Sequence, residues 1–339
     1  MPSRRRALLI LAGLCGLALF SIALALMVGS IQAEPSDVFS ALFGESVGEN
    51  IGAAGDSTMA REIVRSLRLP RALGGFACGG LLALAGALLQ VLLRNPLADP
   101  YVLGISGGAG LGALAAIFLG FSVTGINSFA FVGALGAMSA VFGLARGEGS
   151  WTQTRLLLTG VIVAAGCGAA TALLLSVAPE HKLHGMLFWL MGDLAQTNDP
   201  MPVLVVLGAI LLLCLPYARE LNLLAIGSNT AQVLGVAVKR LRLGIFFVAS
   251  IATAAAVTHA GSIGFIGLIV PHLVRLATGN DQRLLLPASV LAGGSLLVIA
   301  DTLARSLVAP QQLPVGVLTA LIGVPVFLFL LSRESRTGR

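Results

Sequence analysis

The sequence predicts an all-α polytopic membrane protein with about ten transmembrane helices, and two observations support this prediction. Of the 339 residues, 57% are hydrophobic and only 11% are charged, whereas about 25% of the residues of an ordinary soluble domain are charged. The apolar residues also form runs close to the length of roughly 20 residues that a helix needs to cross a bilayer. We therefore expect one transmembrane domain over residues 1–339, with almost nothing left for a soluble domain.

Counted in chain order, ten apolar runs qualify as spans. They lie at about residues 7–29, 72–93, 103–120, 124–145, 155–178, 200–218, 243–259, 262–278, 284–308 and 314–332. The eighth run is short and contains glycine and proline, so it is not expected to cross the bilayer completely. The first run follows Arg4, Arg5 and Arg6, but it is longer than the roughly 7–15 apolar residues of a typical signal peptide. We predict that it is retained as a helix.

The joint after the second run is the clearest interruption of this pattern. Pro96 and Pro100 stand beside the charged residues Arg94 and Asp99, between two long apolar segments. In hydrocarbon every backbone polar group must be bonded internally, so a helix-breaking turn is tolerated only at a membrane surface or beside a water-filled cavity. Because transported substrates move through such cavities, the joint predicts a transport function.

The cysteines and the basic residues exclude other functions. The four cysteines lie singly within apolar runs, without the paired spacing of a metal or redox site, and are typical of packing residues; they are Cys15, Cys78, Cys167 and Cys214. The 21 basic residues lie at the ends of the apolar runs and do not form one long basic run. We therefore predict no nucleic-acid partner and interpret the positive charge as a signal of membrane topology.

The distribution of charge predicts the orientation. With a cytoplasmic N-terminus, 15 of the 21 basic residues fall on the cytoplasmic side, in agreement with the positive-inside rule. Both termini are then cytoplasmic. The remaining six face outward, where they predict an acidic partner; they are Arg61, Arg65, Arg68, Arg71, Lys182 and Arg305. Contact with lipid headgroups is the alternative interpretation, above all for Arg61 and Arg65.

The apolar runs show no clear energy source for transport. An ion-coupled carrier usually has acidic residues or histidine within its spans. Asp301 is the one acid well inside a run, and Arg305 four residues later explains it as a helical ion pair. The sequence also lacks the phosphate-binding pattern GxxxxGK[ST]. We therefore predict that the chain is not an enzyme and that, if ATP drives it, a separate subunit hydrolyses the ATP.

The segment between the sixth and seventh runs predicts a contact with such a subunit. Residues 221–236 have the pattern of a short amphipathic cytoplasmic helix, with Ser228 or Asn229 as its N-cap. Such a helix could dock on a soluble motor. The pattern alone slightly favours a connector that lies on the membrane surface.

Several motifs, in their order along the chain, resemble the permease subunits of FecCD-type ABC importers, which take up ferric siderophores, haem and cobalamin. The motifs are RLPR at 68–71, GALLQ at 86–90, RNPLADP at 94–100, LGISGGA at 103–109, LGV at 234–236, GSIGFIGLIVPH at 261–272, LLP at 285–287, ADTLAR at 300–305 and LPVG at 313–316. Each motif is weak alone, but together and in this order they are specific, and they span most of the chain.

The resemblance implies a type II ABC importer fold. It also implies a homodimer of permease subunits, two ATP-binding-cassette subunits and a periplasmic substrate-binding protein, assembled at the bacterial inner membrane. No cofactor is then bound in this chain, and the partner subunits use ATP and Mg. The expected cargo is an iron chelate, either a ferric siderophore or haem, with cobalamin as the alternative. The rival class is an ion-coupled secondary transporter or metal channel; a structural scaffold is a third interpretation.

The resemblance also assigns roles to residues. The binding-protein docking residues are Arg68, Arg71 and Arg305. The cytoplasmic gate comprises the joint at Asn95, Pro96 and Leu97 and a turn at Thr152, Gln153 and Thr154. The coupling helix spans about residues 225–238, with Ala225, Gly227, Ser228, Asn229, Leu234, Gly235 and Val236 as its contacts. Five positions depart from the family's common residues, since Gln312 replaces Glu, Gln282 replaces His, Ser228 and Asn229 replace acids, and Asp193 replaces Ser.

The substrate signal within the chain is weaker. His181 and His184, with Met186 nearby, lie on the outer side, where they could contact the metal of a chelate in transit. Their alternative role is that of a solvated loop and helix start, because a lone loop histidine seldom acts as a ligand without a partner that orients it.

Overall fold

The structure is a computed structural model that describes residues 4–29, 38–39, 41, 59, 61–145, 153–195, 197 and 199–337. These residues form thirteen α-helices. The helices are α1 (Arg4–Met27), α2 (Leu69–Leu93), α3 (Ile105–Leu119), α4 (Val123–Ala145), α5 (Gln153–Val177), α6 (Glu180–Met191), α7 (Met201–Cys214), α8 (Ala218–Ile226), α9 (Ser228–Val233), α10 (Val238–Ala260), α11 (Ile266–Thr278), α12 (Gln282–Ser306) and α13 (Val315–Thr337).

The predicted set of about ten membrane helices is confirmed among the described residues. Seven helical stretches are long and apolar enough to cross a membrane, and α3, α11 and α13 supply three shorter apolar helices. The eighth predicted span is α11, which has 13 residues and contains Pro271. At 1.5 Å per residue it covers about 20 Å, less than the roughly 30 Å hydrocarbon core. It is therefore too short to cross alone, as predicted.

Helix α2 lies at the centre of the bundle, surrounded by α10, α11 and α12. In the most apolar 18 residues of the stretch Arg61–Leu93, 94% of the residues are buried. Glycines permit this packing, because a methyl group on Gly79 would collide with the carbonyl of Gly293 in α12, and one on Gly86 with the carbonyl of Gly267 in α11. Small residues that let backbones approach are the usual means of helix association in membranes.

Glycines in α3 also permit close packing within this chain. A methyl group on Gly108 would collide with the carbonyl of Gly133, and one on Gly112 with that of Phe129, both in α4. These two glycines therefore pack one helix of the chain against the next.

Helices α2 and α12 run antiparallel and define two ends of the bundle. Arg71, near the start of α2, contacts Asp301, near the end of α12. Asn222 in α8 contacts the opposite end of α12, at Asp281 and Gln282. We refer to these as the Arg71 end and the Asn222 end.

The predicted amphipathic helix over residues 221–236 is wrong in one respect. The segment breaks into α8 and α9 at Gly227, whose backbone is extended with a φ of 168°. Gly227 is itself the N-cap of α9, and no side chain caps that helix. Ser228, predicted as a cap, instead accepts a hydrogen bond from Arg242. The amphipathic pattern continues across the break, which is why the pattern did not reveal it.

Candidate functional site

The Arg71 end contains a buried ion pair. Arg71 Nε donates to both carboxylate oxygens of Asp301 at 3.1 and 2.9 Å, and Nη2 donates to Oδ1 at 2.8 Å. Only 9% of Arg71 and 3% of Asp301 is exposed. The fork-like guanidinium matches the carboxylate in the bidentate geometry that makes such pairs strong and directional.

The other two predicted docking arginines lie in the same region. Arg305 Nε lies 3.3 Å from Asp301 Oδ2, so the predicted helical pair is confirmed. Arg305 Nη2 also donates to the carbonyl of Ala25, and Arg68 Nη1 donates to the carbonyl of Leu26 at 2.7 Å. Both contacts attach the end of α1 to α2 and α12. The arginines therefore stabilise the helix ends as well as supplying charge.

Gln312 and Asp193 complete this group. Gln312 Oε1 accepts a hydrogen bond of 3.0 Å from Arg71 Nη1, and Asp193 Oδ1 lies 3.9 Å from Arg71 Nη2. We call the six residues the arginine cluster: Arg68, Arg71, Asp193, Asp301, Arg305 and Gln312. Three guanidinium groups against two carboxylates leave the cluster with a net charge of +1.

The Asn222 end contains a cavity of about 670 Å³. The predicted gate residues Asn95 and Pro96 line it together with Ala225 of the predicted coupling segment. Leu97, the third gate residue of the joint, follows directly and donates its backbone N–H to Asn95 Oδ1 at 2.9 Å. Two parts of the chain assigned to different roles thus share one cavity.

The joint itself is a tight left-handed turn. Arg94 ends α2 with a φ of 48°, and its Nη2 lies 3.5 Å from the carbonyl of Ile226 in α8. Asp99 accepts the N–H of Tyr101 at 2.7 Å. Burial raises the pKa of the Asp99 carboxyl to about 6, although the hydrogen bond from Tyr101 opposes this shift.

Polar side chains connect the joint to neighbouring helices. Gln90, in the last turn of α2, donates to the carbonyl of Leu268 at 3.1 Å and accepts from Arg275 Nη2 at 2.7 Å. Sequence patterns did not identify Gln90 or Arg275 as partners. The one available signal was that Gln90 is a polar residue inside an otherwise apolar run.

The remaining predicted gate residues lie at the start of α5. Thr152 lies outside the described residues. Gln153 and Thr154 begin the helix, so the turn predicted for these two residues is wrong.

The predicted coupling residues present an exposed surface. Ala225 and Asn229 are exposed, and Gly227 and Ser228 are half-buried between α8 and α9. Beyond α9, Leu234, Gly235 and Val236 line a second cavity of about 540 Å³ together with Arg219 and Arg240. Two apolar side chains here are unusually exposed, Val233 at 87% and Leu234 at 59%.

The three predicted substrate-pathway residues lie in different surroundings. His181 is exposed on α6, whereas Met186 is completely buried. His184 stacks on Phe188, with ring centroids 4.4 Å apart. It lines a cavity of about 370 Å³ with residues that the sequence analysis had not grouped with it, namely Asn127, Trp189, Asp193, Thr258 and His259.

A sharp turn between α10 and α11 borders the joint. Gly261 and Phe265 adopt positive φ angles of 68° and 71°. The Tyr101 hydroxyl accepts the N–H of Ile263 and donates to its carbonyl, both at 2.8 Å. Tyr101 therefore holds the turn in place, a role that no sequence motif indicated.

The helical bundle, with its polar clusters at both ends and a cavity beside a broken helix, is that of a multi-pass membrane permease. A model of the FecCD transport family matches residues 17–333. The chain belongs to the FecCD transport family, and the resemblance noted in its motifs is confirmed.

Known proteins similar to this chain are also transport permeases. The chain is 47% identical over 284 residues to the cobalamin import system permease protein BtuC of Halobacterium salinarum, covering 82% of this chain and 75% of that protein. It is 43% identical to the hemin transport system permease protein HmuU of Yersinia pestis, covering 80% and 84%. A solved structure described as an inward-facing metal-chelate type ABC transporter matches with a TM-score of 0.81 at 31% identity, covering 96% of this chain and 99% of that one. The predicted fold of an ABC importer permease is thereby confirmed.

Proposed function

We propose that this chain is the permease subunit of an ATP-driven ABC importer that moves an iron chelate, either a ferric siderophore or haem, from periplasm to cytoplasm. The observation that carries this proposal is the cavity shared by the joint at Asn95 and the coupling segment at Ala225. A partner that shifts the segment would change the cavity wall formed by the joint. The chain would then open and close its pathway without performing chemistry itself.

In this proposal the Asn222 end faces the cytoplasm of a bacterium, as do both termini. The orientation rests on the positive-inside distribution of the basic residues. The Arg71 end then faces the periplasm.

Two ATP-binding-cassette subunits, which themselves use ATP and Mg, bind the exposed surface formed by α9 and the residues beside it. We call this the coupling surface. The predicted contacts Ala225, Gly227, Ser228, Asn229, Leu234, Gly235 and Val236 lie in and around α9. The exposed side chains of Val233 and Leu234 are adjacent and support a protein contact there, because a contiguous exposed apolar patch is typical of an interaction site.

A periplasmic binding protein docks at the Arg71 end. The arginine cluster carries a net positive charge that would attract acidic side chains. Arg68 and Arg71 are buried, at 5% and 9% exposed, so the charge of the cluster would attract the binding protein more than direct contact with these two side chains would. Charge pairs of this type orient a partner and increase its association rate more than they increase affinity.

A second copy of the chain completes the pathway. Helix α5 supports this proposal. In its most apolar 18 residues, which lie within Thr154–Val177, only 6% of the residues are buried in the chain. An apolar helix with so little burial must contact lipid or another protein along most of its length. Two copies that meet near α5 would enclose a central pathway between them.

The cargo is a bulky metal chelate. The His184 cavity, with its imidazoles, carboxylate and aromatic side chains, supports a polar and aromatic outer wall of the pathway. The similarity to a hemin permease favours an iron chelate. Cobalamin is the second candidate, and the 47% identity to a cobalamin permease supports it as an alternative cargo.

An ion-coupled carrier is the rival from a different class. The buried Asp301 would be its natural proton carrier, but its carboxylate is paired with both Arg71 and Arg305. The carboxylate thus serves as a structural contact that joins α12 to α2. The geometry of Asp301 thus supports the ABC proposal over the rival.

The test is uptake into proteoliposomes that contain the complex co-purified with its binding protein, with haem, ferric siderophores and cobalamin compared with and without ATP. ATP-dependent import of an iron chelate is the expected result. Import of cobalamin alone would favour the second candidate, and import unaffected by ATP would contradict the ABC proposal.

A further inference from the structure

The start of α12 is clamped to α8 by one side chain, Asn222. Its Nδ2 donates to Asp281 Oδ1 at 2.9 Å, and its Oδ1 accepts the backbone N–H of Gln282 at 2.8 Å. Asp281 is the N-cap of α12 and also accepts the N–H of Arg283 at 3.1 Å. A single carboxamide therefore bonds to both the cap and the first backbone N–H of α12, which leaves little freedom between the two helices.

Both sides of this clamp are firmly seated. Leu221 and Leu224 of α8 are at most 1% exposed, and Gln282 is 1% exposed. Pro287 interrupts the backbone hydrogen bonding of α12, but the turn before it stays packed, since Leu285 and Leu286 are completely buried. A displacement of α8 would therefore be passed to α12 and not absorbed by a loose first turn.

The far end of α12 is attached to α2. Asp301 lies 19 residues beyond Gln282, which is about 28 Å along a helix at 1.5 Å per residue. Its bidentate pair with Arg71 attaches the end of α12 to the start of α2. The backbones of Gly293 and Gly79 touch in the middle. Helices packed this closely move together, because a well-packed contact has discrete arrangements and does not deform continuously.

We propose that Asn222 is the positioning residue through which the coupling surface moves α12, and that α12 carries α2 and its gate joint with it. This inference rests on the proposed function. Movement of α8 pulls on the cap of α12, and α2 follows along its length. The joint at Arg94 and Asn95, which ends α2, is then displaced beside the cavity. Helix α12 also reaches the arginine cluster. It therefore connects docking of the binding protein at the Arg71 end with ATP use by the ATP-binding-cassette subunits at the Asn222 end.

The experiment measures substrate imported per ATP hydrolysed in proteoliposomes of the complete complex. Asn222→Ala should lower this ratio about tenfold while ATP hydrolysis continues, a loss within the usual range of coupling between two sites. Asn222→Asp should be more harmful, because it places a second carboxylate against Asp281. Asn280→Ala is the matched control, since Asn280 lines the same cavity and is exposed just before the cap, but makes none of these bonds.

A swapped pair separates coupling from folding. In the double variant Asn222→Asp with Asp281→Asn, the amide and carboxylate exchange places, so the bond between the side chains and the bond from Gln282 can both form again. We expect the double variant to recover most of the import-to-hydrolysis ratio that Asn222→Asp loses. This comparison remains informative even if Asn222→Ala fails to assemble. A wild-type ratio in Asn222→Asp, or an assembled swapped pair that stays uncoupled, would overturn the role of Asn222. Wild-type complex without ATP-dependent uptake would instead overturn the proposed function and this inference with it.

Discussion

Arg71 and Asp301, 230 residues apart in the sequence, form a buried pair in which Arg71 Nη2 lies 2.8 Å from Asp301 Oδ1. The pair joins the start of α2 to the end of α12, and Arg305 adds a second cation to the same carboxylate. Because both partners are removed from water, each depends on the other for compensation of its charge.

Replacing Asp301 should therefore destabilise the fold strongly. In Asp301→Ala two buried guanidinium groups lose their counter-ion, and removal of one partner of a buried pair typically costs about 3–5 kcal/mol. Thermal or denaturant unfolding of the purified protein in detergent would measure this loss. Glu62→Ala is the control, because Glu62 is an exposed acid close to the same end. Equal stability of the two variants would show that the pair contributes little.

Gln312 allows charge and bonding to be separated at the Arg71 end. Gln312→Glu should strengthen the hydrogen bond from Arg71, raising the melting temperature, while it reduces the net charge of the arginine cluster from +1 to 0. The loss of attraction should slow binding-protein association about two- to tenfold at low salt and less at high salt. Stopped-flow association and thermal unfolding would measure the two effects.

The neighbouring residue supplies the comparison for this variant. Gln311→Glu adds the same charge on an exposed residue without the bond to Arg71, so it should slow association but leave the melting temperature unchanged. If both variants associate at the wild-type rate, the cluster does not attract the binding protein.

Tyr101→Phe should loosen the turn between α10 and α11. The change removes the hydroxyl that bonds both the N–H and the carbonyl of Ile263, and a buried backbone group left unpaired costs about 1–3 kcal/mol. A lower melting temperature is the expected result. The chain has one other tyrosine, Tyr217, which is 51% exposed. Tyr217→Phe should therefore unfold like the wild type, and a similar loss in both variants would contradict the role of Tyr101.

Asp99 should make stability depend on pH. Burial raises the pKa of this carboxyl to about 6 in the folded protein, above its value in the unfolded chain. The protonated form is thus favoured by folding, so its contribution is complete below the unfolded pKa and is lost as pH rises through 6. Asp99→Asn, which keeps an acceptor for the N–H of Tyr101, should be more stable than wild type at pH 7.5. The difference should disappear near pH 4, and a constant difference across this range would exclude Asp99 as its origin.

Hydropathy was sufficient to predict an all-α membrane protein and its approximate number of helices, because the length of an apolar run reports directly on whether it can cross a bilayer. The ABC importer fold was predicted from the motifs. The outward arginines could also be selected from topology, and the structure brings Arg68, Arg71 and Arg305 together. The principal partner of Asp301 could not be found in this way. A local pair with Arg305 accounted for the acid, and nothing in the sequence indicates that residue 71 lies beside residue 301.

Contacts that depend on how the helices pack could not be predicted from the sequence either. The break at Gly227 follows from the extended backbone of one residue inside a continuous amphipathic pattern. Likewise, Met186 follows His184 closely in the sequence, but helical geometry turns it into the core, whereas His184 faces a cavity with His259 of α10. Spacing along a chain determines the face of a helix, but not what lies opposite that face.

The central position of α2 imposes two different requirements on the same residues. During membrane insertion the segment must be apolar enough to leave the translocation machinery for lipid, a step that favours leucine and similar residues. In the finished bundle it touches almost no lipid, and close neighbours demand small side chains. Leucine, alanine and glycine dominate α2, a composition that satisfies both stages. Substitutions to larger apolar residues should therefore pass the first stage and fail at the second, producing chains that reach the membrane but do not assemble.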